Sequence, residues 1–133
     1  MQIIIAKSTQ RLIKKEITKY LDWLIKHYNF PLEIKIIVYN HEYIRSVMTA
    51  IQVDASFFAP FDQKETGVLR VNVGDYGNIL KDNSFKDIIN VLLARISRQI
   101  QYYYQWVDNS EFNEEIAEYG GRELLREYLE STE

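Results

Sequence analysis

At 133 residues, 47% of them hydrophobic, the chain has the size of one compact domain able to bury a sizeable core. It contains no cysteine, which excludes a disulfide framework and a thiolate metal site and favours the cytoplasm. The net charge of −3 is divided unevenly: residues 1–35 carry seven Lys or Arg against three Asp or Glu, and residues 111–133 carry eight Glu against two Arg. The acidic balance, with no basic stacking platform, argues against a nucleic-acid partner.

The opening "MQIIIAKSTQRLIKK" sets a few apolar residues before a basic run, the reverse of a signal peptide, and no later run reaches the length of a membrane span, so no membrane partner is expected. Ser8 is a candidate cap for a first helix. Its apolar positions Ile13, Ile17, Tyr20, Leu21, Leu24 and Tyr28 keep helical spacing as far as the stop at Asn29-Phe30-Pro31. Residues 32–39, "LEIKIIVY", are β-branched and bounded by Pro31 and Asn40-His41, which predicts a strand. Residues 49–60 and 67–73 predict two more, and "GDYG" at 74–77 predicts a turn.

Ser84 with Asp87 three residues on suggests a capped start for a long helix over 85–106, carried by Ile88, Ile89, Leu92, Leu93, Ile96, Ile100 and Tyr103. Tyr103 and Trp106 are expected in the core. A break at "VDNS" separates this helix from a last one that begins near Phe112 and runs through Ile116, Leu124, Leu125 and Tyr128. Gly120-Gly121 inside that helix costs about 1 kcal/mol per glycine relative to alanine, so a close backbone approach to another element is expected there. No repeat, low-complexity tract or linker interrupts the chain, and one domain over 1–133 follows. The expected fold is α+β: an N-terminal helix, a small three-stranded sheet, a long helix and a C-terminal helix. The two histidines, His27 at a helix end and His41 in a turn, read as surface or capping residues.

One stretch of the long helix, "ISRQIQYYYQW", places Arg98, Gln99 and Tyr102 at the one-two-five spacing that zinc hydrolases fill with His, Glu and His. Together with the element order, this resembles the zincin metallopeptidases, in particular compact glutamate-zincins, which carry HExxH on the long helix. The resemblance extends over almost the whole chain. "NEEIAEY" (113–119) is similar to the Asn-Glu-x-x-x-Asp segment of thermolysin-like enzymes, which would make Glu114 the third-ligand position and Glu118 the outer-shell acid. The resemblance implies a zincin-like fold with former zinc-site positions at Arg98, Gln99, Tyr102, Glu114 and Glu118.

The departures decide the expected chemistry. In an HExxH helix two imidazoles on one face bind Zn²⁺ while the carboxylate between them takes a proton from the bound water. Arginine is always protonated and offers only donors, glutamine is no base, and tyrosine keeps its proton at neutral pH. No catalytic residue, no metal and no cofactor are therefore expected, and the chain reads as a pseudoenzyme of a metallopeptidase-like fold. Arg98 is expected to pair with Glu114 in place of the metal, within a stripe of Arg95, Arg98, Gln99 and Tyr102.

Three functions follow. The first is a binding or regulatory module that takes a protein or peptide partner along an edge strand, with 49–58 as the candidate strand. The second is a structural or homo-oligomeric protein whose cleft has filled in and which uses the acidic last helix or the basic first one as an interface. The third is an enzyme using the Glu114, Glu115 and Glu118 carboxylates with another metal, against which acidic residues are ordinarily favourable at a helix N-terminus.

Overall fold

The computed structural model describes residues 1–47 and 49–132. The chain begins with strand β1 (Gln2–Ile5) and helix α1 (Arg11–His27), followed by β2 (Ile34–Tyr39), β3 (Ile44–Arg45), β4 (Gln52–Val53), β5 (Ala55–Phe58) and β6 (Gly67–Asn72). A short helix α2 (Tyr76–Ile79) and a 3₁₀ turn at 80–82 lead into α3 (Phe85–Val107), and α4 (Glu114–Ser131) completes the chain. The expected α+β class holds. None of the described helices is long and apolar enough to cross a membrane.

The sheet is larger than expected. Its four strands run in the order β1-β2-β6-β5, with β1, β2 and β6 parallel and β5 antiparallel at one edge. "QIII" is the added strand, paired residue for residue with Lys35–Val38; four residues are too few for a periodic signal, and only the neighbouring β2 makes them a strand. The expected strand over 49–60 is instead two pieces. Residues 52–53 pair with 44–45 in a separate hairpin, the chain bends at Asp54, and 55–58 join the main sheet.

Strand alternation puts Ile34, Ile36 and Val38 of β2 and Leu69 and Val71 of β6 on one buried face. Helices α1 and α3 cover that face, so the molecule has a helical layer on one side of a mixed sheet. Within the core, the Tyr20 hydroxyl of α1 donates to the Ser97 hydroxyl of α3, which donates in turn to the Leu93 carbonyl. Tyr103 and Trp106 are buried as expected, at 0% and 6% exposure. The Tyr103 hydroxyl reads both backbone groups of Leu32, and Trp106 Nε1 donates to the Pro60 carbonyl.

Gln10, rather than Ser8, caps α1: its side chain accepts from the Ile13 amide. Ser8 instead accepts from Asn40. Ser84 caps α3 as expected, accepting from the Asp87 amide. At Gly121 the α4 backbone comes so near α3 that a Cβ would lie 2.9 Å from the Arg98 nitrogen, which bears out the expected close approach.

Candidate functional site

The stripe on α3 faces a groove of about 560 Å³ between β5 and the start of α4. Residues Ala55–Phe57 form one wall, Arg98, Gln99 and Tyr102 form the floor, and Phe112, Glu114 and Glu118 form the opposite wall. All five positions singled out from the sequence therefore gather in one place.

Each wall is held by identifiable bonds. After α3, Asn109 adopts a left-handed conformation (φ 55°), which asparagine tolerates. The Gln105 amide then clasps the backbone of Asn113 from both sides, at 3.0 and 3.2 Å, and Asn113 caps α4 through the Ile116 amide. This fixes where Glu114 begins the helix. On the other side, Asn72, 1% exposed at the end of β6, holds both backbone groups of His41 and shapes the turn.

β5 is an edge strand, and its pairing shows which peptide groups are free. The Asn72 amide donates to the Asp54 carbonyl, and Ala55 stands opposite Val71. In an antiparallel ladder the hydrogen-bonded pairs alternate, so Ser56 and Phe58 share their peptide groups with β6. The N–H and C=O groups of Ala55 and Phe57 point away from the sheet, beside the groove.

The floor of the groove is polar. Gln99 is 3% exposed, yet among the described residues its amide has no hydrogen-bond partner, and it opens onto the groove. Burial pushes the Tyr102 phenol above its usual range; the Glu114 and Glu118 carboxylates push in the same direction and Arg98 against it. The phenol is a protonated donor at neutral pH. Its ring lies 5.3 Å from that of Phe112, which in turn lies 6.3 Å from Phe57, giving the groove an aromatic side.

The expected Arg98–Glu114 pair is not formed. Arg98 lies 3.6 Å from Asp54, both side chains about two-fifths exposed, and Asp54 also lies 3.4 Å from Arg95. Arg95 grips Asp75 bidentately at 2.7 and 2.9 Å and donates to the Asn72 carbonyl. Glu114 does not need a cation because it is exposed in the first turn of α4, where water and the helix N-terminus already stabilise its charge. Asp54, Asp75 and Phe112 were not picked out from the sequence. The one signal for Asp54 is an acidic residue inside the β-rich "QVDASFF".

A zinc ion, which the resemblance implies, does not fit these side chains. Arg98 brings positive charge to the first position, and among the described residues no three His, Cys, Asp or Glu side chains converge. His27 instead bonds the Trp23 carbonyl through Nδ1 at 2.8 Å, closing the last turn of α1.

Compared with models of protein families, with curated proteins and with solved structures, the chain matches none.

Proposed function

We propose that the chain is a zincin-like peptide-binding module without catalysis, in which the groove that a relative would use for cleavage holds an extended segment of a peptide or protein partner. The reading is supported by the element order, by an antiparallel edge strand beside the long helix, and by the gathering of Arg98, Gln99, Tyr102, Glu114 and Glu118 around one groove. The side chains at the HExxH-like positions supply donors and positive charge in place of metal ligands and a base, which is the reason for reading a pseudoenzyme.

One observation carries the proposal. The outward peptide groups of Ala55 and Phe57 flank an open groove, and an incoming extended chain would complete the ladder there, its backbone bonds giving affinity and the groove reading alternate side chains. The cysteine-free composition fits a reducing compartment for such a module.

The test compares seven-residue extended peptides with versions N-methylated at alternate residues, titrated by NMR against ¹⁵N-labelled, chelator-treated protein. Methylation on the strand-facing side should abolish binding, and methylation on the other side should leave it intact. Equal binding of both methylated forms, or cleavage of the unmodified peptide, would overturn the proposal.

A further inference from the structure

The groove carries carboxylates on its α4 wall. Glu114 and Glu118 stand one turn apart on α4 and both line it. Among the described residues the one basic side chain on the floor, Arg98, is paired with Asp54 at 3.6 Å. Glu118 has one ionic neighbour among the described residues, Arg122 at 4.0 Å, with both side chains more than three-fifths exposed, an arrangement of little strength. Acidic residues on a helix start would mean nothing alone. Here they share the groove with Gln99, a residue 3% exposed whose amide makes no hydrogen bond among the described residues. That amide is not among the fully enclosed polar atoms and lines the open groove, where a ligand's backbone can reach it.

Resting on the reading of the groove as a peptide site, we propose that its occupant is a basic extended segment. An arginine or lysine lays its aliphatic stem along Tyr102 and Phe112 and its charged head between Glu114 and Glu118, while the adjoining backbone bonds the Gln99 amide. The geometry agrees with the chemistry. A strand added to β5 alternates its side chains, and those pointing down cross from the β5 wall toward α4 over the floor. The Tyr102 and Phe112 rings suit the stem and, through their faces, a guanidinium. Charge complementarity favours this occupant, because the α4 wall carries two carboxylates and the one guanidinium on the floor is already paired with Asp54. Burial is the main reason the Tyr102 phenol is held above its usual range, and both carboxylates add to it while Arg98 opposes them.

The experiment uses three end-capped heptapeptides, Thr-Val-Thr-X-Thr-Val-Thr, with X as arginine, norleucine or glutamate. Each is titrated to millimolar concentration into the full chain, and the amides of 55–58 and the Gln99 side-chain NH₂ are followed by NMR. The arginine peptide should bind about tenfold more tightly than the norleucine peptide, with the glutamate peptide weakest and the preference shrinking as salt is raised. The double variant Glu114→Gln/Glu118→Gln should bring arginine and norleucine level, whereas Gln99→Leu should weaken both to the same degree. If all three peptides shift Ala55–Phe58 with equal affinity, the basic preference is wrong and the peptide site stands. If none shifts them, both fall. Concentration-dependent self-association that excludes every peptide would overturn the inference in favour of a second copy as the occupant.

Discussion

Replacing each glycine of the 120–121 pair by alanine should give opposite results. In an exposed helix interior Gly→Ala is worth about 1 kcal/mol in favour of the helix. At Gly121 the new methyl would lie 2.9 Å from the Arg98 nitrogen and 3.0 Å from its Cα, both held in the ladder of α3, so α4 itself must retreat. Overpacking of this kind costs about 1–3 kcal/mol. The cost should exceed the propensity gain and leave Gly121→Ala less stable by up to about 2 kcal/mol, because Leu124 and Tyr128 shift along with it. At Gly120 the methyl meets the Gln101 side chain, with its Cδ at 2.7 Å, and that side chain can turn toward solvent. Gly120→Ala should therefore be neutral or stabilised by up to about 1 kcal/mol. Urea melts of the two variants measure the difference as a shift in midpoint at constant slope. A Gly121→Ala protein as stable as its parent, or a Gly120→Ala protein less stable than Gly121→Ala, would refute the packing of α4 on α3 that brings Glu114 and Glu118 to the groove.

Arg95→Met should cost about 2–3 kcal/mol in the same melts, since it strands Asp75 and the Asn72 carbonyl beneath a side chain only 11% exposed. A double-mutant cycle of Arg98→Ala with Asp54→Asn should give a coupling below about 1 kcal/mol, because that pair is wide and half-exposed; a value above about 2 kcal/mol would mean a buried pair instead. Stability should fall as pH rises from about 10 to about 12. Burial holds the Tyr28 and Tyr104 phenols up to about 12, so over that window the unfolded chain releases protons that the folded chain retains. Circular dichroism with tyrosinate absorbance would follow it, and a pH-independent melt there would contradict the burial of these rings. Ala55→Pro should leave the β6 ladder intact while removing an outward donor, weakening peptide binding about tenfold or more with little change in the fold's NMR spectrum.

The long helices were legible in the sequence because their signal is local. Ser84 and the apolar spacing of α3 mark a capped, amphipathic element whatever packs against it, and the glycine pair in α4 announces a close approach without saying to what. The sheet was less legible. "QIII" becomes a strand only through β2, and the break at Asp54 exists because the chain leaves one pairing for another, which no periodicity encodes. The site shows the same division. Spacing alone put Arg98, Gln99 and Tyr102 on one face of α3, and the Gln105–Asn113 clasp sets Glu114 beside the same groove. The partner of Arg98 could not be read, because two carboxylates distant in sequence compete for it and the outcome depends on where β5 begins.

Backbone hydrogen exchange at the β5 edge, measured by NMR on chelator-treated protein with and without a bound extended peptide, tests the central claim most directly. In the free protein the Ala55 and Phe57 amides should exchange quickly while Ser56 and Phe58 are protected, and a bound peptide should slow Ala55 and Phe57 at least about tenfold without metal being added. Binding that leaves those two amides fast, or that appears only when zinc is restored, would contradict it.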